Sequence, residues 1–178
     1  MQSYARKFEN LPQVTISVVN GWAVGAGLEL MSMSDIRIAG QSARFSEQAV
    51  KQGFITEIGG TRVLPKLIGK GRALEMILTG RVIEPEEALR IGLIDRLTED
   101  HELTAASIEL AATIARQPYV AVRHAKKLVR DYWKHDESDS GWGAELAAIL
   151  EITRTPDNQE GVRSFLEKRP PRYRGTAY

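Results

Sequence analysis

Val19-Asn20-Gly21-Trp22-Ala23-Val24-Gly25-Ala26-Gly27-Leu28-Glu29-Leu30 is the stretch on which the fold turns. Residues 14–19, Val-Thr-Ile-Ser-Val-Val, are rich in β-branched side chains and lead into it as a buried strand. Asn20-Gly21 makes a turn, and Gly25, Ala26 and Gly27 open a helix that runs to about Met33, with Leu28, Leu30 and Met31 expected to pack. Amides in the first turn of a helix have no acceptor inside it, so they are free to hold a developing oxyanion. Gly25, Ala26 and Gly27 have almost no side chain to keep a carbonyl away from that backbone. Glu29 would then stand beside the carbonyl, placed for proton transfer. The bland alternatives are a tight packing turn and a carboxylate that only stabilises a helix N-terminus.

Composition narrows the classes. A chain of 178 residues has enough length to bury a core. Its formal net charge of +1 gives no reason to expect a nucleic-acid partner. The absence of cysteine excludes disulfides and thiol catalysis. There is no apolar run of membrane-spanning length and no signal-peptide core at the N-terminus, so the expectation is no membrane partner and a cytoplasmic or organelle-matrix location.

Outward from the central stretch, residues 1–10 are helix-compatible, residues 35–40 read as a second strand ending at Gly40, and Ala43-Arg44-Phe45-Ser46 as a third. After Gly59 the apolar spacing is helical. It places helices over 61–68 and 72–78, the latter with Leu74, Ile77 and Leu78 on one stripe. Pro85 fits a first helical position, Glu86 and Glu87 favour that end, and Gly92 closes the helix. Residues 93–97 form a short extended exit, and helical periods follow over 102–116, 119–134 and 142–153. The tail from Glu167 to Gly175 is basic and broken by Pro170 and Pro171.

The His101, His124 and His135 spacing suits no metal. Gly25-Ala26-Gly27 lacks the third glycine of a dinucleotide loop because residue 30 is Leu, and Gly69-Lys70-Gly71 lacks the upstream glycine of a P-loop because residue 64 is Leu. Trp22, Trp133 and Trp142 read as packing or interface residues.

Five pieces in order resemble the crotonase (enoyl-CoA hydratase/isomerase) superfamily. They are the strand–turn–helix over 16–30 followed by Asp35-Ile36-Arg37-Ile38-Ala39; Gly59-Gly60-Thr61-Arg62-Val63-Leu64-Pro65; Leu78-Thr79-Gly80-Arg81; Ala88-Leu89-Arg90-Ile91-Gly92-Leu93-Ile94; and Phe165-Leu166-Glu167-Lys168-Arg169-Pro170. The resemblance implies an α/β fold: a spiral of strand–strand–helix units over residues 1–98, here the C-terminal part of the core, and a helical oligomerisation or lid region over 99–178. It implies an unsaturated acyl-CoA substrate whose thioester oxygen is held by two backbone amides, with Ala26 N–H as one of them. No cofactor is required, coenzyme A being part of the substrate, and homo-trimers or hexamers are the expected assembly.

Two departures from the family pattern matter. Relatives carry a segment of several strands before the equivalent of Leu11-Pro12, which supplies the other oxyanion donor and much of the CoA nucleotide pocket. Residues 1–12 do not replace it, so the expectation is a partial chain or a half-site. The second family glutamate falls here on Ala49, which has no acid–base chemistry. Glu57, two residues before Gly59, matches a place where isomerase-type relatives often carry an acid, so the resemblance pairs Glu29 with Glu57. Its bland alternative is an exposed loop carboxylate. Glu47 is a weaker candidate, expected to be solvated or locally hydrogen-bonded. Gly25 and Gly27 are candidate substrate-contact positions. Phe165 and Lys168 match tail positions that reach the CoA adenine and phosphates, with a solvated basic tail as the alternative. Two functions remain in view: an acyl-CoA hydratase/isomerase working through an oxyanion-stabilised enolate, and a non-catalytic crotonase-like partner.

Overall fold

A computed structural model describes residues 2–131 and 140–174. The chain forms two compact units, residues 1–109 and 110–178. In the first, α1 (Gln2–Glu9) precedes β1 (Ile16–Val19), β2 (Trp22–Val24), α2 (Ala26–Met33), β3 (Ile36–Gly40) and β4 (Arg44–Ser46). A 3-10 turn (Ala49–Gln52), α3 (Gly60–Ile68), α4 (Lys70–Thr79), α5 (Pro85–Ile91) and β5 (Arg96–Thr98) complete it, with the start of α6 (Leu103–Ala115). The second unit holds the rest of α6, then α7 (Tyr119–Asp131), α8 (Ser140–Ile152) and α9 (Pro156–Leu166). The sequence placed a boundary at 98/99; the two units meet inside α6.

Both sheets are parallel. β3 lies between β1 and β5 in a three-stranded sheet, and β2 pairs with β4 in a two-stranded one. In register, Ile16 faces Ile36 and Val19 faces Ala39, while Trp22 faces Arg44 and Val24 faces Ser46. Each strand–strand–helix turn therefore stacks on the next with its two strands in separate ladders, which is the spiral that the family resemblance implied. The two sequence neighbours β1 and β2 do not pair with each other. The turn at Asn20-Gly21 sends the chain from one sheet into the other, so it is not a hairpin.

The core gathers around Phe45, Leu28, Ile38, Leu64, Met76 and Leu93, all fully buried. A second cluster seats Ala5 of α1 on Met33 and Val63, with Phe8 and Ile58 beside them. Helix ends follow the punctuation in the sequence. Gly80 and Gly92 terminate α4 and α5 in the left-handed conformation, at φ of 55° and 81°. Among the described residues no helix is long and apolar enough to cross a membrane.

Three readings need correction. β2 lies within the stretch whose sequence reads as a turn into the helix, because three residues are too few to show alternation. α9 is a helix that the apolar periods do not mark; Thr155 caps it by accepting from Asn158 N–H at 3.2 Å, and Pro156 occupies its first turn. Leu30, Leu74 and Leu78 are exposed, since only the opposite faces of α2 and α4 meet the core. Of the two readings given for Trp22, core packing is not met, since it is 67% exposed, and the interface reading stays open. Trp133 and His135, and the side chain of Trp142, lie outside the described residues.

One polar clamp ties the sheet together. Arg37, buried on β3, donates to Asp95 Oδ1 at 2.9 Å and to Ser34 O at 2.8 Å. Its backbone N–H donates to Asp95 Oδ2 at 2.8 Å, and Asp95 N–H returns to Arg37 O at 2.9 Å. Asp95→Ala leaves a buried guanidinium without its counter-ion and is expected to cost about 3 kcal/mol, less for Asp95→Asn. Urea unfolding of the two variants beside the parent measures this; equal midpoints for all three would show that the clamp does not hold the sheet.

Candidate active site

The site begins at the join between β2 and α2. Gly25 adopts φ 52° and ψ −121°, a conformation that side-chain-bearing residues rarely take, and its N–H donates to Ser46 O at 3.1 Å. The chain thereby turns sharply out of the sheet, and α2 starts with its first amides facing outward. Among the described residues the N–H groups of Ala26 and Gly27 have no acceptor, and both residues are exposed. Gly25, Ala26 and Gly27 form an open donor turn of the kind the sequence suggested.

Glu29 lies one turn along α2 and is only 2% exposed. Its carboxylate points at the start of α3. Oε1 accepts from Glu57 N–H at 3.0 Å, and Oε2 accepts from Ile58, Gly59 and Gly60 N–H at 2.9, 2.7 and 2.7 Å. The N-terminal amides of α3 have no helical acceptors, and its cap residue Gly59 has no side chain to supply one. Glu29 takes that place from another helix. The expected helix-end role was within α2; the helix it serves is α3. Gly60 makes the approach possible, because a Cβ there would sit 2.9 Å from Thr56 Cγ2 and 3.3 Å from Glu29 Cγ.

The structure brings Glu57 to this point through its backbone. Its N–H reaches Glu29, while its side chain is exposed on the loop before α3. Glu47, the weaker candidate, is not solvated: it is fully buried immediately after β4. Its Oε1 accepts from Ala49 N–H at 3.3 Å, and its Oε2 is buried without a hydrogen-bond partner. Burial pushes the Glu47 carboxyl above the ordinary range, the Ala49 amide opposes this, and the charge of Glu29 adds to the rise. Among the described residues no group of three or more His, Asp or Glu is arranged for a metal ion.

Phe165 and Lys168 belong to the second unit. Phe165 is 82% exposed, and Lys168 takes a left-handed φ of 53° where the chain leaves α9. The tail is not simply solvated. Arg169 donates to both oxygens of Glu160 at 2.6 and 3.1 Å, and Arg172 N–H adds a third bond to that carboxylate. Arg169 beside it holds Glu160 well below its usual range, at about 2.

With this geometry in place, comparison with known proteins is decisive. The sequence profile described as Enoyl-CoA hydratase/isomerase matches residues 1–176. The chain belongs to the enoyl-CoA hydratase/isomerase family. Its relatives include a short-chain-enoyl-CoA hydratase of Clostridium acetobutylicum, 37% identical over 92% of this chain and 62% of that protein. The mitochondrial methylglutaconyl-CoA hydratase of Mus musculus is 37% identical over 98% of this chain and 57% of its own length. The crystal structure of an enoyl-CoA hydratase from Bacillus anthracis superposes with a TM-score of 0.94 at 38% identity, covering 98% of this chain and 67% of that one. The crotonase fold is thus shared, and the chain spans about two thirds or less of the length of these relatives.

The sequence could not show that Glu29 and the amides of residues 57–60 meet, since nothing local links them. Glu29→Gln puts an NH2 group among four N–H donors. It is expected to cost about 2–4 kcal/mol, with loss of hydrogen-exchange protection confined first to residues 57–60. Gly60→Ala, which presses on Thr56 and Glu29, is expected to lower the same unfolding midpoint. Parental stability and parental exchange in Glu29→Gln would mean that the carboxylate does not hold α3.

Proposed function

We propose that this crotonase-family chain works on an α,β-unsaturated acyl-CoA thioester, as a hydratase or an isomerase. The open Ala26 amide at the start of α2 carries the proposal. A thioester oxygen resting on it gains negative charge as the enolate forms, and one such donor contributes roughly 3 kcal/mol to the transition state. Gly25 and Gly27 leave room for the substrate backbone to approach. Glu29, immobilised by four amides one turn away, supplies a fixed carboxylate for proton transfer, and the exposed Glu57 handles a proton at the mouth of the site. The thioester itself acidifies the α-carbon, so the proposal includes no metal or redox cofactor. Phe165 and Lys168 are assigned to the coenzyme A end of the substrate, where an ammonium suits a phosphate.

Self-association is part of the proposal. Leu146, Ile149 and Leu150 of α8 are exposed large apolar residues, and such surface favours burial between copies. A trimer or hexamer is the expected assembly. Ala49 supports the second reading, a non-catalytic partner, because it puts a methyl where many relatives of the family carry an acid.

Ala26→Pro tests the oxyanion donor directly. Residue 26 is the first residue of α2, where proline's fixed φ is tolerated; the N–H is lost and the ring Cδ takes its place. With a trans-2-enoyl-CoA followed by loss of the conjugated thioester absorbance, this variant is expected to retain its fold and lose about 100-fold in kcat. Glu57→Gln is expected to lose a similar factor. Parent-like turnover by Ala26→Pro would remove the donor from the mechanism. Absence of both turnover and CoA binding by the parent chain would support the partner reading.

A further inference from the structure

A cavity in the second unit has no part in the foregoing mechanism. It measures about 710 Å³, opens between α9 and the tail, and draws its lining from these two segments alone. Four guanidinium groups and two carboxylates line it: Asp157, Glu160 and Arg163 from α9, and Arg169, Arg172 and Arg174 from the tail. The two acids are already engaged. Glu160 takes Arg169 on both oxygens and the Arg172 N–H as well, and Asp157 accepts from Arg174 N–H at 2.8 Å. The tail is therefore anchored by the Arg169 side chain and by the backbone of residues 172 and 174. The guanidinium groups of those two residues take no part in it. Among the described residues the side chains of Arg163, Arg172 and Arg174 have no hydrogen-bond or ion-pair partner, whereas Arg44, Arg62, Arg81 and Arg123 each have a glutamate. Glu160 and Arg169 cancel, which leaves three cations around the cavity against the single charge of Asp157.

We propose that this cavity binds the adjacent phosphate groups of a free polyphosphate, with Arg163, Arg172 and Arg174 as its ligands. A guanidinium is charged throughout the working pH range, and its planar pair of N–H groups matches two phosphate oxygens. The unpartnered donors come from both walls, one from α9 and two from the tail. A ligand that meets all three carries several anionic groups along its length, and the cavity has room for more than one phosphate. No aromatic side chain lines it, so the recognised feature is the phosphate chain and not a base. The cavity also lies apart from the position assigned to coenzyme A. Residues 156, 160 and 163 recur at helical spacing along one face of α9, and Phe165, two residues after Arg163, lies on the other face. Occupancy of the cavity therefore does not depend on the enoyl-CoA reading.

Inorganic triphosphate is the probe, titrated into the full chain by calorimetry at low ionic strength. The parent is expected to bind it, with an unfolding midpoint that rises with ligand and an affinity that falls as salt is added. Arg172→Gln combined with Arg174→Gln removes two guanidinium groups and keeps the backbone bonds to Glu160 and Asp157. Without ligand this double variant is expected to unfold at the parental midpoint, and its affinity for triphosphate should fall at least about tenfold. Arg163→Gln, on the opposite wall, should weaken binding by a similar factor. Arg72→Gln combined with Lys127→Gln removes the same charge from exposed positions elsewhere and should leave the affinity within about twofold. Coenzyme A, which also carries adjacent phosphates, is expected to leave bound triphosphate in place. No binding by the parent overturns the proposal, as does parental affinity in the Arg172/Arg174 double variant. An equal loss in the charge-matched control overturns it by reducing the effect to net charge. Displacement by coenzyme A overturns it by making the cavity part of the coenzyme A site, with the enoyl-CoA reading left standing.

Discussion

The structure depends on one carboxylate. Glu29 sits in the first turn of α2, yet it closes the start of α3 by accepting from four consecutive amides, those of residues 57–60. Buried amides without acceptors are costly, and α3 begins with glycines that have no side chain to offer them. The requirement is reciprocal: a carboxylate that is 2% exposed needs donors, and the chain brings them from nearly thirty residues away. Gly60 is small because Thr56 and Glu29 lie against it. The loop 53–59, the entry to α3 and the wall of the candidate site are thus shaped by the same contact.

That contact also separates tasks inside the site. The open amides of α2 are available because the turn at Gly25 leaves them facing outward, while the acid one turn later is immobilised in the interior. In the proposed mechanism a fixed carboxylate beside open amides is a preorganised arrangement, in which little reorganisation accompanies the growth of charge. Glu47, set just past the end of β4, has almost no donors. Two glutamates of the same unit therefore have contrasting surroundings, for reasons of backbone geometry alone: one meets a helix N-terminus, and the other meets the end of a strand and the wall around Gly80.

Much of this was legible in residue order. Gly25-Ala26-Gly27 and Glu29 marked a turn into a helix, Pro85 and Gly92 bracketed α5, and β-branched runs marked β1 and β3. These signals are local, acting through backbone preferences over a few residues. β2 escaped because three residues carry too little alternation, and α9 because its apolar positions are sparse beside its charges. Leu30 shares α2 with buried Leu28 and Met31, and Leu74 shares α4 with buried Met76 and Ile77, and periodicity alone could not say which edge of the apolar stripe meets the core. Glu47 and Glu57 illustrate the same limit at the site: both are acids in loop sequence, one fully buried and one exposed.

By itself the sequence determined the order of every element but β2 and α9, the small-residue turn that frees the Ala26 amide, and the family to which the chain belongs, because each is written in contiguous residues. The tertiary structure alone decided that Glu29 serves the neighbouring helix and that Glu47 is enclosed without a donor. Both outcomes depend on which backbone groups come to lie within hydrogen-bonding distance once parallel strands stack in register. That is a property of packing between distant segments, and no short-range pattern encodes it.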